Sequence, residues 1–233
     1  MSIDSQAAGS NGLYLDFSAS GKATLCGWIK VNGWAKTAYG FALGFIGGVD
    51  YGVCWLQQGT AEALMGWWQA NSPAASGATS TLVSGTGEWR FLAIAIDGSS
   101  ITYYAGTELD ECTAETETAS FDAGAVINRA TLANDSYGTS LYASLRGARL
   151  WVGEALTAEQ IEAERLASDF RAVHTTGLHS ELLLDDYTDP GDAVSGSDWT
   201  VLGAFAEDAS EPDPHAPETD AGEPLALLLA FAF

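Results

Sequence analysis

The chain has 233 residues, of which 47% are hydrophobic and 17% charged, so it holds enough apolar material for one large globular domain. Its 31 acidic residues outnumber 9 basic ones, and the formal net charge of −22 disfavours nucleic acids and anionic lipid surfaces as partners. The first residues lack the basic and apolar segments of a signal peptide, and no apolar run is long enough to span a bilayer. We therefore expect synthesis in the cytoplasm without a signal peptide.

Short runs rich in aromatic and β-branched residues follow one another along most of the chain, as in an all-β protein. The predicted strands cover residues 12–17, 23–31, 39–46, 51–57, 63–69, 89–96, 101–106, 125–133, 140–152, 180–185 and 199–205. Asp97 and Gly98 stand between two of these runs and predict a β-hairpin. Since no internal repeat is visible, the pattern predicts a two-sheet antiparallel jelly-roll sandwich.

One short surface helix is predicted near residues 157–171. Thr157 and Gln160 have the spacing of a capping box, in which each side chain bonds the backbone of the other residue. Leu156 and Ile161 have the spacing of a hydrophobic staple. We expect Ile161 to pack this helix against the sandwich.

The composition changes sharply after residue 205. Residues 206–224 hold four prolines, seven acids and no lysine or arginine, and they predict an extended acidic linker. Residues 225–233 are almost wholly apolar and predict a final strand. The predicted organisation is thus an N-terminal arm (1–11), a jelly roll (12–205), a linker (206–224) and a C-terminal strand (225–233).

The C-terminal strand has two interpretations. It returns to its own sandwich, or it is donated to a neighbouring subunit or capsid-type scaffold. A 19-residue linker spans up to about 60 Å when extended, and a linker of that length is unnecessary for a local return, which favours donation. The candidate partner-binding residues are Leu225, Leu227, Leu228, Leu229, Phe231 and Phe233.

Three segments of the sequence resemble laminin-G-like domains of the concanavalin A-like lectin/glucanase group. The first is the late strand and helix start "LRGARLWVGEALTAEQI" (145–161), and the second is the hairpin "GEWRFLAIAIDGSSITYYAG" (87–106). The third is the early strand "TLCGWIKV" (24–31) with Trp28. The resemblance covers residues 12–205 and implies a jelly-roll domain of the kind found in phage virion proteins. Arg146 and Gly147 depart from it, because the family often carries Asp-Glu at these positions.

This resemblance raises the question of catalysis, since the group includes glycoside hydrolases. Glu108, Asp110 and Glu111 lie in one short stretch, but Cys112 or Thr113 stands where the last catalytic glutamate of such an enzyme should be. We interpret the stretch as a solvated loop and expect no enzymatic activity. Arg149 is expected to make a structural hydrogen bond or ion pair.

The sequence gives only weak indications of a metal site or of a disulfide. Asp185, Asp186, Asp189 and Asp192 are candidate calcium ligands, but their spacing matches no EF-hand loop, and an acidic turn is the favoured interpretation. Three histidines lie too far apart to indicate a metal site: His174, His179 and His215. Cys26, Cys54 and Cys112 show no disulfide framework. No cofactor is expected to be required.

Adjacent Trp67 and Trp68 are candidate contacts to a glycan or a protein, since one of two successive residues in a strand faces outward. Taken together, the sequence favours a non-enzymatic structural or interaction module on a virion surface, as capsid decoration or as a tail or fibre component. We expect it to be oligomeric or capsid-bound. The alternative is an extracellular glycan-binding lectin module, and a glycoside hydrolase ranks last.

Overall fold

A computed structural model of the chain consists of two antiparallel sheets and one short helix. It describes residues 2–5, 12–33, 38–46, 51–57, 62–69, 83–84, 87–118, 126–132, 142–184, 194, 199–202, 205–208 and 212–213. The strands are β1 (Ser2–Ser5), β2 (Gly12–Ser20), β3 (Lys22–Gly33), β4 (Ala38–Ile46), β5 (Tyr51–Gln57), β6 (Glu62–Gln69), β7 (Val83–Ser84), β8 (Trp89–Asp97), β9 (Ser100–Thr107), β10 (Thr113–Thr118), β11 (Val126–Leu132), β12 (Tyr142–Val152), β13 (Leu178–Leu182), β14 (Thr200–Leu202) and β15 (Phe205–Asp208). The helix is α1 (Ala158–Arg165). Among the described residues, no helix has the length and apolar character needed to cross a membrane.

The strands divide into an eight-stranded and a seven-stranded sheet. The eight-stranded sheet has the order β10-β9-β8-β3-β12-β1-β15, and β13 also pairs with β12. The seven-stranded sheet has the order β14-β2-β11-β4-β5-β6-β7. Consecutive strands often belong to different sheets, as β1, β2 and β3 do, so the chain crosses repeatedly between the two sheets.

The main hydrophobic core lies between the two sheets. Leu25, Ile94 and Leu145 of the eight-stranded sheet are buried in the same cluster as Leu15 and Leu43 of the seven-stranded sheet. Along β2 these buried positions alternate with more exposed ones, as expected for a strand with one face on the core. The predicted all-β, two-sheet antiparallel sandwich is confirmed.

The predicted hairpin and helix start are also present. Asp97 pairs with Ser100 across a two-residue turn, and Gly98 takes the positive φ of 62° that such turns favour. The Thr157–Gln160 capping box is formed, and Ile161 is fully buried. Here the sequence pattern fixes local structure through hydrogen bonds that need no distant partner.

The helix is shorter than predicted, since it ends at Arg165 rather than near residue 171. Phe170 has a positive φ of 58°, which no α-helix accommodates. The Arg149 side chain donates hydrogen bonds to the carbonyl groups of Glu164 and Phe170. A side chain from a distant strand thus replaces the helical hydrogen bonds that were expected there.

The eight-stranded sheet extends beyond the predicted bounds of 12–205. Residues 2–5, predicted as an N-terminal arm, form β1 between β12 and β15. Residues 206–208, predicted as the start of the linker, belong to β15. These segments are short and partly polar, so their sequences alone give a weak strand signal. They form strands because the neighbouring strands supply their hydrogen bonds.

The described part of the acidic tail also contacts the sandwich. Pro212 is buried, and the backbone N–H of Asp213 donates to Glu108 Oε1 at 2.6 Å. Within the predicted linker 206–224, strand β15 and the hydrogen bond of Asp213 thus join parts of the chain to the sandwich. The rest of the predicted linker and the predicted strand 225–233 lie outside the described residues.

Candidate binding surface

The outer face of the eight-stranded sheet is covered by residues 154–177, which we call the covering segment. This segment contains α1 and joins β12 to β13. Its residues Leu156, Ile161 and Phe170 form a second buried cluster with side chains of the sheet, including Trp28 and Trp151. The eight-stranded sheet is thus buried on both faces over this area.

An ion pair lies between the sheet and the covering segment. Arg149 Nη1 donates to Glu164 Oε2 at 2.5 Å, and both side chains have no solvent exposure. The guanidinium also donates to the carbonyl of Phe170, while the carboxylate accepts from the backbone N–H groups of Val173 and His174. Buried charges need such additional partners to offset the loss of water. The predicted structural role of Arg149 is confirmed.

A second polar cluster fixes the end of α1. Glu162 accepts from the Arg165 side chain and from the backbone N–H of Cys112 at 3.1 Å. Arg165 Nη1 donates to the carbonyl of Thr107 at 2.8 Å, which ties the helix to the end of β9. Although burial alone would raise the pKa of Glu162, the hydrogen bonds from Arg165 and Cys112 hold it below its usual value.

The two described thiols lie beside these clusters. Burial raises the pKa of Cys26 far above its ordinary value, and burial together with the Glu162 carboxylate raises the pKa of Cys112 to about 12. Neither thiol therefore forms the thiolate needed of a nucleophile near neutral pH. Both are free cysteines, in agreement with the absence of a disulfide framework between them.

Glu108, Asp110 and Glu111 lie in the turn between β9 and β10 rather than on one strand. Asp110 Oδ2 accepts from the Thr107 hydroxyl at 3.0 Å, and the same hydroxyl accepts from the N–H groups of Leu109 and Asp110. Glu108 accepts from the backbone N–H of Asp213 in the tail, so two of these three acids are engaged in hydrogen bonds within the protein. The turn agrees with the interpretation of residues 107–112 as a solvated loop.

The histidines and the candidate metal ligands give no site within the described structure. His174 Nδ1 lies 3.0 Å from Gln160 Nε2, and the His179 ring packs 6.0 Å from the Phe17 ring. Within the described ranges, no group of three histidine, cysteine, aspartate or glutamate residues is placed to bind a metal ion. The calcium candidates Asp185, Asp186, Asp189 and Asp192, together with His215, lie outside those ranges.

The outer face of the seven-stranded sheet carries an exposed group of three side chains, which we call the Arg129 platform: Tyr14, Asp16 and Arg129. Arg129 Nε and Nη2 donate to the two carboxylate oxygens of Asp16 at 2.6 and 3.0 Å. The guanidinium lies 4.5 Å from the centre of the Tyr14 ring. These side chains retain 32% exposure at Arg129 and 57% at Asp16, so water and ligands reach them.

The Arg129 platform depends on the strand register. Arg129 lies directly opposite Asp16, while Tyr14 pairs with Thr131 two residues away. A β-bulge in β11 between Ile127 and Arg129 precedes this pair, and bulges commonly redirect the side chains beside them. The sequence places Tyr14 and Asp16 on one face by their spacing of two. Finding Arg129 beside them required the pairing of β2 with β11, which no local pattern reveals.

The tryptophan candidates lie on the same sheet. Trp67 and Trp68 are both in β6, where they pair with Val53 and Gly52. Through β5 and β4, Trp68 falls in the register row of Gly44 and Arg129. The structure therefore places the backbone of one predicted contact residue in the row that holds the Arg129 platform.

The remaining predicted partner-binding residues are outside the described structure. They are Leu225, Leu227, Leu228, Leu229, Phe231 and Phe233. The described tail ends at Asp213, beside the turn between β9 and β10.

The charge of the described surface is dominated by acids, because ion pairs occupy most of the basic residues. Six of the nine lysines and arginines form ion pairs with carboxylates: Lys22, Arg90, Arg129, Arg149, Arg165 and Arg171. The excess of acids is thus left largely uncompensated, which disfavours anionic ligands.

No protein-family model and no curated protein matches the sequence. Among solved structures, the chain is similar to the native heptameric SAP-like pentraxin from Limulus polyphemus, with a TM-score of 0.53, 15% identity and coverage of 88% of this chain and 93% of that one. It is also similar to the enzymatically active domain of tailspike protein 2 from bacteriophage CBA120, with a TM-score of 0.50, 12% identity and 74% of this chain covered. The full-length tailspike protein 2 of an Escherichia coli bacteriophage gives a TM-score of 0.50 at 14% identity.

The chain spans nearly the whole pentraxin chain but only 28% of the tailspike domain and 25% of the full-length tailspike. At these identities the similarity concerns the fold. The neighbours fit the expected jelly roll, whereas the narrower laminin-G-like resemblance stays a prediction from the sequence. The comparisons establish that this chain has the jelly-roll β-sandwich fold that a pentraxin and a phage tailspike domain also contain.

Proposed function

We propose that the chain is a non-catalytic structural and interaction module of a virion surface, as capsid decoration or as a tail or fibre component. The observation that carries this proposal is the difference in how the two outer sheet faces use their charged side chains. On the eight-stranded sheet, Arg149 and Glu164 serve internal contacts, whereas the Arg129 platform on the seven-stranded sheet is exposed. A fold shared with a phage tailspike domain is compatible with this role.

The proposal includes attachment to a neighbouring subunit through residues 225–233. The described tail contacts the sandwich as far as Asp213, and eleven residues then precede the apolar segment. An extended stretch of that length covers roughly 35 Å, enough to reach an adjacent molecule. An apolar strand added to a neighbour's sheet gains backbone hydrogen bonds and apolar contacts together.

Deletion of residues 225–233 tests this attachment. We expect the truncated chain to remain folded and monomeric, while the intact chain assembles in sedimentation velocity experiments. A matched control replaces the nine residues with a Gly/Ser segment of equal length, which separates loss of the strand from loss of chain length. The attachment is refuted if the truncated chain unfolds and the intact chain stays monomeric at every concentration.

The absence of catalysis is a separate part of the proposal. It is supported by the hydrogen bonds of Glu108 with Asp213 and of Asp110 with Thr107, and by the position of both acids in a turn. We expect no release of reducing ends from polysaccharides by the intact protein. Hydrolysis that disappears in Glu108→Gln or Glu111→Gln protein would overturn this part.

Calcium is not required in this proposal. If the acidic stretch containing Asp185, Asp186, Asp189 and Asp192 binds a metal, calcium is the ion that its carboxylates favour. Calorimetry with millimolar calcium tests this minor hypothesis, and an absence of heat removes it.

A glycan-binding lectin module is the alternative function. The observation that favours it is the Arg129 platform, since a stacked arginine, a carboxylate and neighbouring hydroxyl groups suit recognition of sugar hydroxyls. A virion protein that also binds a glycan satisfies both hypotheses.

A further inference from the structure

We propose that the outer face of the seven-stranded sheet binds a neutral glycan chain, centred on Tyr14, Asp16 and Arg129. This inference rests on the proposed binding function and names the ligand class and the surface. It requires no metal ion and no residue of the covering segment.

The Arg129 platform is held in one geometry before any ligand arrives. The two hydrogen bonds from Arg129 to Asp16 and the stacking of the guanidinium on Tyr14 restrain a side chain that is otherwise mobile. Bidentate arginine–carboxylate pairs are among the geometrically best defined polar contacts in proteins. A ligand that binds here therefore loses less free energy to ordering the protein.

The platform still has hydrogen-bonding capacity to offer. Within the described structure, Arg129 Nη1 makes no hydrogen bond, and each oxygen of Asp16 keeps a lone pair beyond the one used by Arg129. A donor and an acceptor therefore lie side by side on one surface. Two adjacent hydroxyl groups of a sugar match this pair, because each hydroxyl both donates and accepts.

The described surroundings of the platform are mostly polar. Exposed hydroxyl groups of Ser18, Ser20 and Thr200 lie on the strands beside it, and the bulge adds the half-buried Asn128. The large apolar anchors that dominate protein–protein interfaces are missing from the described outward positions of β2 and β11, apart from Tyr14 beneath Arg129. These features favour a glycan over a protein as the ligand of this face.

The register gives the surface its length. From Arg129 the row continues through Gly44 and Gly52 to Trp68, across three strand spacings or about 14 Å. The two glycines carry no side chain, so the row itself places none between the platform and the position of Trp68. Its length suits a short run of sugar rings rather than a single one.

The charge of the chain selects against anionic glycans. The Arg129 charge is already balanced by Asp16, and the formal net charge is −22. A uronic acid or a sialic acid would approach a strongly negative protein, and the cation described at this surface is already paired with a carboxylate. Neutral glycans avoid that repulsion.

The test uses the full chain with the chelator EDTA present, on a panel of neutral polysaccharide fragments: dextran, mannan, galactan and β-glucan. Hyaluronan and a sialylated oligosaccharide serve as charged probes. We expect calorimetry to show binding to at least one neutral probe, and Asp16→Asn and Arg129→Lys to weaken it about tenfold each. Asp97→Asn is the matched control, since Asp97 forms an exposed ion pair with Lys22 on the other sheet.

Thermal unfolding of each variant confirms that a loss of binding is not a loss of fold. The inference is overturned if no neutral probe binds at millimolar concentration, if only the charged probes bind, or if Asp16→Asn binds as tightly as the unchanged chain. Failure of this inference with normal assembly through residues 225–233 leaves the proposed virion function standing. Glycan binding without assembly supports the surface and removes the strand attachment.

Discussion

The outer faces of the two sheets use an arginine–carboxylate pair in opposite ways. Arg149 and Glu164 lie beneath the covering segment with no solvent exposure, whereas Arg129 and Asp16 are open to water. The buried pair has lost its hydration, so removing one partner leaves a charge without compensation. The exposed pair keeps its hydration and contributes little to stability. The same chemistry is thus part of the interior under one face and accessible to solvent on the other.

The difference comes from one insertion between two neighbouring strands. Residues 154–177 leave the sheet after β12, cross its outer face and return as β13 beside the same strand. The Thr24 hydroxyl accepts from the N–H of Leu156 and donates to the carbonyl of Glu154, which fixes the start of this excursion. In the described part of the seven-stranded sheet no comparable segment lies over β2 and β11.

The largest expected effect is loss of the buried pair. Arg149→Met should lower the free energy of unfolding by about 3–5 kcal/mol, because the carboxylate of Glu164 is left buried without its cation. Arg129→Met is the matched variant on the exposed face, and it should cost at most about 1 kcal/mol. Urea unfolding of both variants measures the two values. Equal losses would contradict the contrast between the faces.

A smaller effect is expected from Gly147 in β12, which lies beside Phe170 of the covering segment. Its φ is 58°, and a Cβ atom there would lie 2.9 Å from Phe170 Cβ. Gly147→Ala should therefore cost about 2–4 kcal/mol, from backbone strain and overpacking together. Gly98→Ala has a similar φ of 62° but no neighbour within 4 Å, and strain alone should cost about 1 kcal/mol. Thermal unfolding of the two variants decides whether the contact with Phe170 is as close as described.

The smallest effect concerns the thiols under the covered face. Because the pKa values of Cys26 and Cys112 are raised in the folded state, the unfolded state ionises first as the pH rises. Their contribution to stability is therefore present below about pH 9 and declines as the pH approaches about 12. At pH 8 we expect iodoacetamide to label Cys26 only after unfolding and Cys112 slowly, as read by mass spectrometry. Fast labelling of Cys26 in folded protein would show that the covering segment opens readily.

Much of the fold follows from local sequence patterns, and the exceptions have a common cause. The Asp97–Gly98 turn and the Thr157–Gln160 capping box were predicted because neighbouring residues satisfy their hydrogen bonds. Strand β10 was not predicted, since its threonines and glutamates lack an apolar face and depend on pairing with β9. The early end of α1 likewise depends on Arg149, which comes from another element.

The candidate site was predictable only in part. Trp67 and Trp68 were predicted as a pair of which one faces outward, and the register places the backbone of Trp68 in the row of Arg129. Asp16 and Arg129 were missed because neither belongs to a local sequence motif within its own strand. They lie side by side because of the register between β2 and β11, and this register cannot be read from either strand alone.

The position of β1 has a consequence for the order of folding. Ile3 pairs with Leu145 on one side and with Glu207 on the other, so β1 is held by two strands that come much later in the chain. Contacts between such distant parts of a chain form slowly, because a long loop must be closed before any hydrogen bond is gained. Until β12 and β15 have been synthesised, the N-terminal strand has no partner in the sheet. This part of the sheet is therefore expected to form late in folding, after β12 and β15 have been made, and early intermediates are expected to have an open sheet.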